Sequence, residues 1–238
     1  MPTPSTAEEK LKWKARAVEL MLAIDRIRDT ASDERQMASA IITTLADAVE
    51  AELCLLCLRD DDTGELQLRA ALDRMAVYDA STESYFRDLA ERAANLEGAE
   101  FLNADLTLKN RRHTRVACLA APLRVGSDTL GAILLLNADH PFNGEEHTLV
   151  STAISQIDSA MQYARAMREL RRRQLELETI FRIDHIRDEE LEFQDMLDAV
   201  LAEVCRTIES ETGFIMLYDR VGNELELRAT TDRNLFES

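Results

Sequence analysis

Basic residues are scarce in this 238-residue chain, where 28 Lys and Arg stand against 45 Asp and Glu for a formal net charge of −17. Such a chain repels phosphate backbones and anionic lipid head groups and lacks the basic face that counterion release requires, which argues against nucleic acid as a partner. The opening MPTPSTAEEK lacks a basic segment followed by an apolar one, and the longest apolar stretches, Val116 to Leu123 and Leu130 to Leu136, are far too short to span a bilayer. The expectation is a soluble, cytoplasmic chain with no membrane partner. Four cysteines are too few for a disulfide scaffold and are expected as free thiols. Also missing are GxSxG, HExxH and a glycine-rich phosphate loop, and the four histidines lie far apart. No catalytic residue, metal site or cofactor is therefore assigned, and the chain is not expected to be an enzyme.

An apolar content of 46% suffices for one or two ordinary cores. The organisation comes from an internal repeat. IDRIRD from Ile24 recurs as IDHIRD from Ile183, which sets Asp25 and Asp184 at an offset of 159. The same offset matches Met37 with Met196, Glu50 with Glu209, Leu58 with Leu217, and ELQLRAALDR from Glu65 with ELELRATTDR from Glu224. A period this long means whole domains in tandem, not solenoid units. The second copy starts near Glu176 and runs to Ser238, whose counterpart is Asp79; with so few elements, residues 189 to 238 should be the least stable part.

Periodicity places the elements. Trp13, Ala17, Leu20, Ile24 and Ile27 alternate spacings of four and three, a seam that predicts pairing with another helix. After a break near Ser32, Met37, Ile41, Leu45 and Val49 give an amphipathic helix that should pack on a sheet. Leu53 to Arg59 and Glu65 to Leu72 read as a hairpin around Gly64, repeated around Gly222 and Asn223. Tyr85 to Leu96 is helical, Gly98 stops it, and the polar stretch from Asn103 to Arg115 has no clear pattern. Val116 to Leu123 and Thr129 to Asn137 are strands around Gly126, with Pro122 marking an edge or bulge. From Glu145 to Thr212 neither proline nor glycine occurs, so one helix continues out of its domain into the second copy.

This order, with Pro122, Leu123, Gly131, Phe142 and Glu146 in the run from Cys118 to Ala164, resembles the GAF family over residues 17 to 170. The resemblance implies an α+β fold with a central antiparallel sheet, helices on one face, a small-molecule pocket on the other, and dimerisation through the first and last helices. The expected division is an N-terminal helix extension (1–16), a GAF domain (17–165), a coiled-coil linker helix (166–182) and a partial second GAF domain (183–238). The tandem order resembles the input half of bacterial kinases, cyclases and phosphatases. Cyclic-nucleotide-binding members carry Asn-Lys, Phe and Asp-Glu; here Asn137 and Phe142 fit, but Ala138 replaces the lysine and Glu145-Glu146 comes one residue early.

Candidate ligand-binding residues are Asn103, Asp105, Arg111, His113, Arg115, Cys118, Asn137 and Phe142. Lys109, Arg111, Arg112, His113 and Arg115 concentrate positive charge that could hold a carboxylate or phosphate, or simply form a solvated loop. Asn103, Asp105 and Asn137 suit either ligand orientation or turns. Cys118 is either a sensing thiol or a small buried hydrophobe. Cys54 and Cys57 form a CxxC, yet on a strand residues three apart face opposite sides, which argues against zinc or dithiol chemistry; the second copy has Gly213 and Met216 at the corresponding positions. Candidate dimer-interface residues are Trp13, Leu20, Ile24, Ile27, Ile157 and Met167. Arg165, Arg168 and Arg171 to Arg173 lie among glutamates as a solvated coiled-coil face.

The reading is a signal-transduction sensor: a homodimer pairing through its N- and C-terminal helices, binding an unidentified small molecule, and relaying it to a downstream kinase, cyclase or phosphatase domain. The alternatives are a ligand-free dimerisation scaffold whose pocket is filled by Met75, Tyr85 and Phe86, and a GAF-fold thiol redox enzyme, resembling those that reduce free methionine sulfoxide, with at least two cysteines in one pocket.

Overall fold

The computed structural model describes residues 7–106, 114–138, 140–189 and 191–232, and the chain divides into two compact units, Met1–Ala166 and Met167–Ser238. Unit 1 runs α1 (Ala7–Thr30), α2 (Glu34–Ala48), β1 (Leu53–Arg59), β2 (Leu66–Asp73), α3 (Glu83–Ala94), β3 (Glu100–Leu106), β4 (Thr114–Val125), β5 (Asp128–Asn137) and the first part of α4 (Gly144–Asp188). Unit 2 contains the remainder of α4, α5 (Phe193–Thr207), β6 (Phe214–Asp219) and β7 (Glu224–Thr230).

Five antiparallel strands in the order β2-β1-β5-β4-β3 form the sheet of unit 1. Alternation along the strands sends side chains to two cores. Cys54, Leu56, Leu119, Ile133 and Leu135 face α1, α2 and α4, whereas Leu53, Leu55, Cys57, Leu134 and Leu136 face α3. The architecture is the expected α+β sheet flanked by helices, with one difference: α3 lies across the face where an open pocket was expected, burying Phe86, Leu89, Ala90 and Ala93 there.

The strand β3 runs into the stretch from Asn103 that sequence periodicity left unassigned, and it pairs with β4 from Glu100–Ala120 to Leu106–Thr114. Pro122 lies past the end of that ladder, so its missing N–H interrupts no bond to β3, and a bulge follows at Leu123/Arg124. Gly131 sits opposite Leu58, where an added Cβ would come 2.0 Å from the Cys57 carbonyl oxygen. Asp33 caps α2: its carboxylate accepts the Gln36 N–H at 2.8 Å. Asn143 and Glu146 begin α4 with reciprocal bonds, Asn143 Oδ1 accepting the Glu146 N–H (3.1 Å) and Glu146 Oε2 accepting the Asn143 N–H (2.7 Å).

Leu20, Ile24 and Ile157 are fully buried in the core of unit 1, and Trp13 and Ile27 pack against it. The four-three stripe of α1, expected to meet another chain's helix, is covered by its own domain. Periodicity marks a stripe that needs a partner but not which partner covers it.

Unit 2 repeats the start of unit 1 in backbone detail. The bounds of α5 are those of α2 shifted by 159 residues. The bulge at Leu56/Cys57 recurs at Ile215/Met216, and the left-handed residues Glu50 (φ 51) and Gly64 (φ 71) recur as Glu209 (φ 54) and Asn223 (φ 53). The bond from the Ala51 N–H to the Ala46 carbonyl recurs from Ser210 to Cys205. No described helix is long and apolar enough to cross a membrane.

Candidate functional site

The sequence-derived residues do not gather at one place. Asn103, Ala117 and Asn137 occupy one register row across β3, β4 and β5, and Leu102, Cys118 and Leu136 occupy the next. Cys118 therefore projects to the α3 side while Asn103 and Asn137 project to the other. Asn103 is exposed. Asn137 is the one buried polar side chain among the described residues: its Oδ1 accepts the Glu52 N–H (2.9 Å), its Nδ2 lies 3.2 Å from His140 Nε2, and Glu52 Oε2 accepts the Ala138 N–H (2.6 Å). These bonds tie the start of β1 to the end of β5. Phe142 is buried with α1, α2 and α4. Asp105 and Arg115 stand opposite one another in the β3–β4 ladder, and their side chains, like Arg111 and His113, lie outside the described residues. Met167 is 46% exposed.

The cysteines are dispersed as well. Cys54 and Cys57 face opposite cores. Cys57 and Cys118 share the α3 side, but Cys118 pairs with Leu136 and Cys57 with Ala132. Four rows are about 13 Å along the strands, well beyond disulfide reach. Burial pushes the Cys54 thiol far above its ordinary value and the Cys57 and Cys118 thiols up to about 12. Buried thiols so held remain protonated at neutral pH and are poor nucleophiles.

A cavity that residue spacing did not disclose lies between the sheet and α3. It has a volume of about 340 Å³ and a floor of Leu55 and Cys57; Leu66 and Leu68 form one wall, and Phe86 covers it. This is near the small end of the ~300–1,000 Å³ range of ligand pockets. Polar residues border it: Glu65 just before β2 and Gln67 within it, Tyr78 from the loop after it, and Glu83 and Arg87 from the first turns of α3. Glu83 and Arg87 pair at 2.7 Å. A helical period places them on the side of α3 adjoining Phe86 and Leu89, the only signal that could have pointed to them.

The loop is held by its own polar groups. The Asp73 carboxylate accepts the N–H groups of Met75 (3.0 Å), Val77 (2.9 Å) and Tyr78 (2.8 Å), with Ala76 in the left-handed region at φ 51. Thr82 Oγ1 donates to the Val77 carbonyl (2.8 Å). The Tyr78 and Phe86 rings lie 5.7 Å apart and tilted, and Tyr85 meets Phe86 edge-on at 5.6 Å. Burial, with Glu83 adding to it, raises the Tyr78 phenol above its ordinary value, so the hydroxyl stays a donor. The site thus offers an apolar floor, a neutral phenol and the Glu83–Arg87 ion pair, with Glu65 a second acid beside it. A second concavity, about 670 Å³, is an open groove along α2 between Asp33 and Thr44.

Arg124 joins the two sides of the sheet. Its guanidinium donates to the Leu96 carbonyl just past the end of α3, and its backbone N–H, freed at the β4 bulge, donates to the Asp158 carboxylate of α4 at 2.9 Å. Burial lifts the Asp158 carboxyl to about 6 against the lowering effect of Arg124.

No family model matches the chain, and no curated protein matches it. Solved structures do. The GAF domain of a protein described as a sensor histidine kinase from Pseudomonas syringae pv. tomato aligns with 69% of this chain and 99% of its own at 16% identity and a TM-score of 0.52. The phytochrome photosensory core module of Stigmatella aurantiaca aligns with 94% of this chain and 50% of its own at 10% identity and a TM-score of 0.56. At these identities the likeness is one of fold, and the fold is that of a GAF domain.

Proposed function

We propose that this GAF-fold chain is a signal-input module: a small effector occupies the cavity between α3 and the β1–β2 hairpin, and its arrival is relayed to α4 in a homodimer. The cavity, with its apolar floor and converging rim groups, is the observation that carries this reading. The contacts of Arg124 supply a physical route, since a shift of the α3 exit moves the group whose backbone bonds Asp158. The histidine-kinase and phytochrome contexts of the structural neighbours fit an input role, and the proposed recipient of the signal is a downstream kinase, cyclase or phosphatase domain. The reading is cytoplasmic and assigns no thiol chemistry, because Cys57 and Cys118 are separated and held protonated.

Native mass spectrometry of the chain purified without added ligand tests it. A dimer carrying an extra mass that disappears in Leu68→Trp, which fills the cavity, is the expected outcome; a bare spectrum overturns the occupied-sensor reading. The second reading, a ligand-free scaffold, is favoured by one observation: Tyr78 and Tyr85 both pack on Phe86 on the α3 side of the sheet, with Met75 against the same core.

A further inference from the structure

The cavity between α3 and the β1–β2 hairpin has one wall that is backbone as well as side chain. β2 is an edge strand paired with β1 alone, so part of its N–H and C=O groups turn away from the sheet. The register says which. The Asp60 N–H donates to the Glu65 carbonyl, and in the same register Leu58–Gln67 is the next hydrogen-bonded row. Arg59–Leu66 and Cys57–Leu68 are then non-hydrogen-bonded rows, in which Leu66 and Leu68 direct their backbone groups to the free edge. Among the described residues, no hydrogen bond from another element reaches either one. Both border the cavity, and Leu66 is only 3% exposed. Backbone groups so shielded must be met by water or by a ligand.

The free stretch is short. The hairpin turn at Gly64 closes one end, and at the other Arg69 is the extra residue of the bulge opposite Leu56 and Cys57, where pairing breaks. Glu65 to Leu68 is about 13 Å of strand. A residue added antiparallel opposite Leu66 or Leu68 carries its side chain on the same face as theirs. That is the α3 side, above the floor of Leu55 and Cys57 and beneath Phe86. The volume of about 340 Å³ equals that of about eleven waters at ~30 Å³ each, the scale of one apolar side chain with the peptide groups on either side of it. On the opposite wall Glu83 and Arg87 neutralise each other, so hydrogen bonding and apolar contact, not charge, select the occupant.

We infer that the effector of this cavity is a short extended peptide with an apolar side chain, which adds to the free edge of β2 through the backbone of Leu66 and Leu68 and seats that side chain under Phe86. The inference rests on the cavity reading proposed above and gives it a ligand chemistry.

Amide NMR of the isotope-labelled full chain tests it, with N-acetyl-leucine N′-methylamide as the probe. The Leu66 and Leu68 signals should shift, and their exchange with solvent should slow by about tenfold at saturation. Methylating the leucine nitrogen of the probe, which faces β2, should weaken binding about tenfold, the equivalent of one hydrogen bond. Replacing the C-terminal methylamide by a dimethylamide removes an N–H that faces away in an extended residue and should change binding by less than about twofold. Leu68→Pro removes an N–H that the β1–β2 ladder does not use, at an edge position where proline is tolerated; it should unfold cooperatively, as the parent does, and bind the probe about tenfold more weakly. The probe comparison needs no variant, so it decides even where that substitution disturbs the hairpin. Equal binding of all three probes overturns the strand pairing and leaves the cavity reading standing. No response of Leu66 and Leu68 to any probe overturns the inference, and a bare native mass spectrum alongside it overturns the cavity reading as well.

Discussion

Asp158 is a carboxyl group in a half-buried position where ionisation is disfavoured, so its effect on stability has a definite sign. The folded chain holds its proton up to about pH 6, whereas the unfolded chain releases it near 3.8. Stability therefore gains as pH falls through 6 toward 4, and above 6 the ionised group is a standing cost. Asp158→Asn keeps an acceptor for the Arg124 N–H and removes the charge. The variant should melt higher than the parent at pH 7.5, and the difference should close by pH 4, as stepwise thermal unfolding would record. A constant difference across that range would show that Asp158 does not titrate as its burial requires. Such a role is invisible in the sequence, where Asp158 is one polar residue on a long helix. Asn137 and Phe142, by contrast, stand out as motif residues, yet only the register shows that one closes a hydrogen-bond network and the other fills a core.

Among the elements, those with strong periodicity were readable before any coordinates: α2, the β1–β2 hairpin with its repeat, α3 and the long run of α4. The strand β3 was not, although Leu102, Ala104 and Leu106 alternate with Asn103 and Asp105, because the alternation is short and runs straight into the polar, basic stretch that follows it. The cavity was missed for a related reason: its rim comes from β2, a loop folded around Asp73 and α3, three segments that only tertiary packing brings together. Gly131 was legible as a motif residue, and its reason is now geometric. An alanine Cβ would meet the Cys57 carbonyl at 2.0 Å in the middle of paired strands, where neither backbone can retreat. Gly131→Ala should destabilise the chain by about 1–3 kcal/mol in urea unfolding; a neutral substitution would mean that the β1–β5 ladder is looser than drawn.

At the scale of the whole molecule, the two units share elements but not completeness. Unit 1 sandwiches its sheet between two cores, whereas unit 2 has a two-stranded sheet and one small cluster of Leu197, Leu201, Cys205 and Ala229. Phe214, Tyr218 and Leu225 are all more than half exposed, where the counterparts of Phe214 and Leu225, Leu55 and Leu66, are buried. Amides of β6 and β7 should thus exchange with solvent well before those of β1 and β5, which hydrogen-exchange mass spectrometry reads directly. Equal protection would mean that another surface covers unit 2.

The glutamates at the α2–β1 and α5–β6 turns repeat a cost as well as a shape. A non-glycine residue in the left-handed region costs about 1 kcal/mol or more, and glycine would relieve it, yet Glu50 and Glu209 both hold that conformation. The two units thus bear the same strained turn beside the same bulge and backbone bond, and each gives up stability at the same place along its chain.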